Sequence, residues 1–268
     1  MSASLAISRP FDGCCRIALA RPDSLNSFTS EMYREFTAAL ENLRYDPDVY
    51  VVILTGEGRA FCAGHDVRSR EPAGWVRQGL GKAYESRMLI SEINKLPVTI
   101  RSLPQPVIAA VNGTAAGLGF ALALCADVAI AARSAKFVNT IHNAATGHEI
   151  GLSYMLPRAI GTQRAAELLL TSRAVMAEEA ERIGLVLRAV DDDQLEEETL
   201  KLARAIAENT PLGTQLTKRS LWLNQDIGSL EAAIEMESRA VFLAQSTEDA
   251  AEKRRAVKEK RPPRFTGR

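Results

Sequence analysis

Residues 105–132, QPVIAAVNGTAAGLGFALALCADVAIAA, form the most apolar stretch of the chain, poor in charge and rich in small side chains. Its length matches a membrane helix. Asn112-Gly113 breaks it early, Gly117 and Gly119 interrupt it again, and Asp127 would lie within the span. Hydrocarbon tolerates freed backbone groups and a carboxylate only where protein or water satisfies them. The pattern therefore predicts a buried strand (Val107 to Val111), a small-residue loop (Asn112 to Gly117), a short buried helix (Leu118 to Cys125) and a second strand (Val128 to Ala131). Apolar runs punctuated by Gly and Asn are characteristic of α/β interiors covered on both faces.

The rest of the chain repeats this rhythm. Leu5 to Ile7 and Cys15 to Leu19 flank Asp12-Gly13 as in a hairpin. Thr29 or Ser30 caps a predicted helix to about Leu43, with Met32, Phe36, Ala39, Leu40 and Leu43 on one face. Val49 to Thr55 reads as a buried strand. Helices are predicted over Lys82 to Arg101, Gln163 to Leu170 and Ala177 to Ile183, and a last strand over Val186 to Val190. From about Asp193 the periodicity is helical throughout: 195–208, 211–224, 229–245 and 247–260. The expected organisation is an α/β core over residues 1–192 and a helical region over 193–268. Leu221, Leu223, Ile234, Val241 and Phe242 exceed what a small helical hairpin covers alone, which points to docking on another subunit.

Composition narrows the function. The 268 residues are 46% hydrophobic and 25% charged, enough for one large domain or a domain with an appendage. Lys+Arg and Asp+Glu both number 33, so no basic field points to nucleic acid or an anionic membrane. The first ten residues lack a basic segment followed by an apolar core, so the expected location is cytoplasmic. The four cysteines (Cys14, Cys15, Cys62, Cys125) lack Cys-x-x-Cys spacing and read as buried thiols rather than metal ligands.

A glycine loop feeding a helix leaves the first N–H groups without intrahelical partners, and with the helix dipole these favour negative charge. Gly117 and Gly119 flank Leu118, so a ligand can approach its N–H. A dinucleotide fingerprint fails here: Leu122 stands at the third small position, and no acidic residue ends a strand about 20 residues on. A hydrolase elbow fails because Gly113-Thr114-Ala115-Ala116-Gly117 has no central nucleophile.

Three segments resemble the crotonase (enoyl-CoA hydratase/isomerase) superfamily: RAFCAGHDV (59–67), QPVIAAVNG (105–113) running on to Cys125-Ala126-Asp127, and 170–173 with Ala177, Ala180 and Gly184 to Val186. Arg21-Pro22 with Asn26, and Glu259 to Arg261, also fit. The resemblance spans roughly Arg21 to Phe265. It implies an α/β, crotonase-like spiral of ββα units with a C-terminal helical trimerisation region, assembled as a homotrimer or as a hexamer of two trimers. It also implies an acyl-CoA thioester as ligand, with coenzyme A part of the substrate and no further cofactor or metal. Its oxyanion hole, two backbone N–H groups, maps onto Ala63 and Leu118. Ala63, Gly64, His65 and Asp66 match the segment along the adenine end of coenzyme A; Lys260 is a candidate to meet its phosphates from a neighbouring subunit, with a solvated lysine as the more common alternative. Reactions at C2 or C3 of a thioester pass through an enolate, whose oxygen such donors stabilise.

The sequence departs from the hydratases of that family at both of their glutamates. Ala121 stands at the first position and Ile141 at the second. Hydration needs groups to orient water, take its proton and return one to carbon, and neither side chain can. Glu149, eight residues after Ile141, is the remaining candidate acid/base, since burial beside an apolar acyl pocket suits a carboxylate to proton transfer; the alternative of equal weight is a structural carboxylate bonded to loop backbone or to an Arg such as Arg158. His142 and His148 flank it as weaker candidates. Asp66 is expected to fix its own loop, and Asp127 to be structural. Two functions follow: an enzyme acting on a CoA thioester through an enolate with Glu149 as acid/base, or a non-catalytic acyl-CoA-binding relative.

Overall fold

The computed structural model describes residues 4–68, 75, 77, 79–140 and 150–267. Strands β1 (Leu5–Ser8) and β2 (Gly13–Leu19) form the antiparallel hairpin expected across Asp12-Gly13. Helix α1 (Ser30–Arg44) follows, with the Met32 N–H donating to Thr29 Oγ1 at 3.2 Å. It buries Met32, Tyr33, Phe36, Leu40 and Leu43.

The chain then advances in repeated steps, each a strand, a short strand and a helix. The first is β3 (Val49–Gly56), β4 (Ala60–Cys62) and α2 (Lys82–Ser102). The second is β5 (Val107–Val111), β6 (Thr114–Ala116) and α3 (Leu118–Cys125). The third is β7 (Val128–Ala132), β8 (Lys136–Val138) and α4 (Leu152–Ile160). After α5 (Thr162–Thr171) come β9 (Val175–Met176), α6 (Ala177–Arg182) and β10 (Arg188–Val190).

The longer strands build one sheet, β1-β2-β3-β5-β7-β10, parallel after the hairpin. The short ones build a second, β4-β6-β8-β9, antiparallel only at β9. Each step moves the chain one strand along both sheets, which is a spiral of ββα units. The Asn112–Gly117 segment, expected as loop, contains β6; β4, β8 and β9 were also not foreseen. Strands of two or three residues are too short for a period-2 pattern to register. The last strand begins at Arg188 rather than Val186, because the Leu185 and Val186 N–H groups turn back to the Ala180 carbonyl.

Two asparagines tie the first repeat to its neighbours. Buried Asn26 donates to the Glu57 and Ala60 carbonyls at 2.9 and 2.8 Å. Asn112 donates to the Gly58 carbonyl at 2.9 Å and accepts the Gly56 N–H at 3.1 Å. The turn before β4 is thus held by side chains, and β4 leads directly into the segment 63–66.

Helix α7 (Leu195–Ala207) packs on β2, β3, β5 and β7, so it covers the larger sheet although it lies beyond residue 192. Helix α8 (Pro211–Leu223) is anchored by a buried charge cluster. Lys218 Nζ lies 2.8 Å from Asp127 Oδ2 and donates to the Gln105 and Ile100 carbonyls at 2.9 and 3.2 Å. Asp127 also accepts the Val107 N–H at 2.7 Å and Trp222 Nε1–H at 2.5 Å. Arg101 stacks on the Trp222 ring and donates to the Leu124 carbonyl at the end of α3. Asp127 is therefore fully engaged in structure.

Helix α9 (Leu230–Gln245) exposes Leu230, Ile234, Val241, Phe242 and Leu243, with Phe242 73% exposed. Helix α10 (Glu248–Glu259) binds the tail that follows it: Glu252 pairs with Arg261 at 2.6 Å, and Asp249 accepts the Thr266 and Gly267 N–H groups at 2.8 and 2.9 Å. Among the described residues no helix is long and apolar enough to cross a membrane.

Candidate active site

The second repeat delivers the glycine loop. Gly117, at φ 52° and ψ −111°, occupies a conformation that side chains rarely adopt, and its N–H donates to the Val138 carbonyl at 2.9 Å. Helix α3 starts at the next residue, with its first internal bond from the Ala121 N–H to the Gly117 carbonyl at 3.1 Å. The Leu118 N–H is one of the donors this geometry leaves over, and among the described residues nothing accepts it. All eight residues of α3 are buried, Ala121 included. Gly119 has no room for a side chain: a Cβ there would fall 2.1 Å from the Cys62 carbonyl oxygen. The helix and β4 are thereby in backbone contact. A Cβ at Gly64 would lie 3.7 Å from the Leu118 nitrogen, so the segment after β4 runs past the start of α3.

That segment is organised by Phe28. The Phe28 N–H donates to the Gly64 carbonyl at 2.8 Å, and the Asp66 N–H to the Phe28 carbonyl at 2.9 Å, an isolated parallel bridge centred on His65. Successive residues of an extended segment direct their N–H and C=O groups to opposite sides. With Gly64 and Asp66 bonded toward Phe28, the His65 N–H is directed away from it. No group among the described residues accepts that N–H. Ala63, expected as the first oxyanion donor, does not fit this role: its N–H is bonded to the Leu25 carbonyl at 2.9 Å. A donor already satisfied inside the protein is not available to a ligand.

Asp66 is buried and holds the loop as anticipated, accepting the Arg68 N–H at 3.1 Å. It also pairs with Arg21 at 3.0 Å, a long-range contact not foreseen. The His65 ring lies against Tyr33, with centroids 5.9 Å apart, planes at 21°, and Nδ1 3.3 Å from the Tyr33 hydroxyl. Desolvation of the ring pushes the His65 pKa below its ordinary value, against the opposing pull of the Asp66 charge. Burial thus favours the neutral imidazole.

The remaining candidates are not brought together here. Glu149, His142, His148 and Ile141 lie outside the described residues. Lys260 is an exposed residue in the left-handed conformation at the C-cap of α10. The four cysteines are free and buried, and burial pushes the Cys62 and Cys125 thiols up to about 12, which removes them as nucleophiles at neutral pH. No cluster of three or more His, Cys, Asp or Glu residues suited to a metal occurs among the described residues. Tyr33 and the donor role open to His65 were missed from sequence. The signal was slight: a Tyr on the buried face of α1.

Comparison with known proteins agrees with this architecture. The family model described as enoyl-CoA hydratase/isomerase matches residues 11–268. A Mycobacterium bovis protein named probable enoyl-CoA hydratase is 42% identical over 262 residues, 97% of this chain and 92% of that protein. The 1,2-epoxyphenylacetyl-CoA isomerase of Escherichia coli is 36% identical over 258 residues, 96% of each chain. The crystal structure of an enoyl-CoA hydratase from Bacillus anthracis superposes with a TM-score of 0.91 at 34% identity, covering 99% of this chain and 100% of that one. With nearly the whole length matched, in sequence and in the spiral of ββα units, the chain belongs to the enoyl-CoA hydratase/isomerase family.

Proposed function

We propose that the chain acts on an acyl-CoA thioester by stabilising an enolate, with the main-chain N–H groups of His65 and Leu118 as the two donors to its oxygen. The observation that carries this reading is the pair of uncommitted amides on two segments in contact at Gly64. An enolate places negative charge on the former carbonyl oxygen, and each preorganised donor is worth on the order of 3 kcal/mol of barrier. Leu118 adds the positive end of α3. Coenzyme A enters as part of the substrate, along Gly64 to Asp66, with Lys260 of a neighbouring subunit at its phosphates. The exposed apolar side chains of α9 support a homotrimer, or two stacked trimers, as the assembly.

Glu149 is the acid/base in this reading. One carboxylate suffices for an isomerisation, in which a proton leaves one carbon and returns to another. A hydration shares the work between two groups, and Ala121 supplies neither. The test is turnover of enoyl-, dienoyl- and aryl-CoA thioesters by wild type and Glu149→Gln. A fall of at least about a hundredfold in kcat is expected, and undiminished turnover in the variant removes Glu149 from the mechanism.

A second reading, an acyl-CoA-binding relative without chemistry, draws on the wholly buried, apolar first turns of α3. It predicts tight coenzyme A binding with no turnover of any thioester in the panel.

A further inference from the structure

The proposed oxyanion donor at position 65 lies between residues that are tied to the chain before α1 and beside a ring that α1 supplies. Phe28, just before the helix, fixes Gly64 and Asp66 on either side of His65. Tyr33, one turn into the helix, reaches the His65 ring itself. Tyr33 is only 1% exposed and is wedged against Phe28 at 5.2 Å between ring centroids, while Phe28 in turn meets Phe36 edge-on at 5.6 Å. The ring that touches His65 is thus part of the core, and its hydroxyl is the polar end of an otherwise apolar cluster.

We propose that Tyr33 is the positioning residue of the oxyanion site, holding the His65 imidazole by stacking and through the Oη···Nδ1 contact so that the His65 N–H keeps its aim. This rests on the enolate reading above. The His65 N–H shares its peptide plane with the Gly64 carbonyl, which the Phe28 N–H holds at one point, so the plane can still pivot about that bond through Gly64 ψ and His65 φ. Clamping the His65 side chain limits the pivot at its Cα end. A misplacement of about 1 Å in a reacting geometry costs on the order of a hundredfold in rate, so a contact that never touches substrate still registers in kcat. Arg21 pairs with Asp66 at 3.0 Å and also donates to the Ser27 carbonyl, so it ties the same loop to the residue before Phe28.

The experiment separates this from a general structural role. Tyr33→Phe removes one oxygen and keeps the stack; His65→Ala keeps the backbone N–H and removes the ring. Both variants are to be checked for an unchanged thermal midpoint. The probe is cinnamoyl-CoA, a conjugated thioester whose absorption moves to the red when hydrogen-bond donors polarise its carbonyl. Wild type is expected to shift the band on binding. Tyr33→Phe is expected to reduce that shift and to lower kcat about fivefold on the best thioester of the panel, with KM within twofold. The double variant is expected to be no worse than His65→Ala alone, since residues acting through one another are not additive. Full band shift and full kcat in Tyr33→Phe overturn the proposal, as do independent, multiplying losses in the double variant. A wild-type protein that binds cinnamoyl-CoA without any red shift removes the oxyanion reading itself, and the role of Tyr33 with it.

Discussion

The start of α3 and the C-terminal helices are built on opposite principles. Around α3 the structure is main chain against main chain: Gly119 on the Cys62 carbonyl, Gly64 beside the Leu118 nitrogen, Gly117 on Val138. Helix α8 and the tail after α10 are held instead by charged side chains, Lys218 with Asp127 and Arg261 with Glu252. The first region is fixed by close backbone contacts, while the second depends on which groups are ionised. Substitutions therefore act through size in one and through charge in the other.

The sharpest way to break the comparison is Gly119→Ala. The added methyl meets a carbonyl oxygen at 2.1 Å, and neither backbone can yield without moving β4. A loss of more than about 3 kcal/mol is expected in chemical denaturation, with little folded protein recovered. Lys218→Met comes next. The ammonium is buried, and burial pushes its pKa down against the pull of Asp127. Deleting it leaves the Asp127 carboxylate without its counter-charge, at a cost of about 3–5 kcal/mol. A companion Lys218→Met/Asp127→Leu variant is expected to regain part of that in the same denaturation assay.

A gentler probe concerns the tail. Arg261 above all, with the Arg264 N–H, holds the Glu252 carboxyl at about 2, below its ordinary 4.5. The tail binds the ionised form, so its attachment is complete above pH 4.5 and is lost as the pH falls toward 2. Amide exchange over residues 261–267, corrected for its intrinsic pH dependence, is expected to show that step. Glu252→Gln is expected to show fast exchange already at pH 6 and no step. The smallest effect belongs to Leu118→Met. Volume is conserved, at a cost under about 1.5 kcal/mol, and the proposed donor is backbone. Turnover is expected within twofold of wild type, and a loss beyond tenfold would show that the Leu118 side chain itself takes part.

The sequence made the fold legible wherever a pattern was long enough to read. The apolar run at 105–132 yielded β5, α3 and β7 within a residue, because a buried strand and a buried helix leave long unbroken signatures. The four short strands of the second sheet left none. At the site the position of Leu118 followed from the glycines around it, since a helix start has a local cause. The donor after β4 did not. Whether Ala63 or His65 presents a free N–H depends on which way each residue faces against Leu25 and Phe28, some forty residues earlier, and that alternation is a tertiary fact. Nothing local marks Tyr33, because its hydroxyl partner lies 32 positions away.

The bridge between Phe28 and His65 has a practical consequence for how such a protein is mapped. A donor that belongs to the peptide bond survives every side-chain replacement except proline. Alanine scanning would pass over position 65 with only the modest signal of the lost ring, and a deep mutational library would report a tolerant residue. An ester in place of the amide at residue 65, by semisynthesis or nonsense suppression, deletes the hydrogen and leaves the rest of the chain in place. Sensitivity to that one-atom exchange far above the severalfold effect of losing the side chain is the signature to look for.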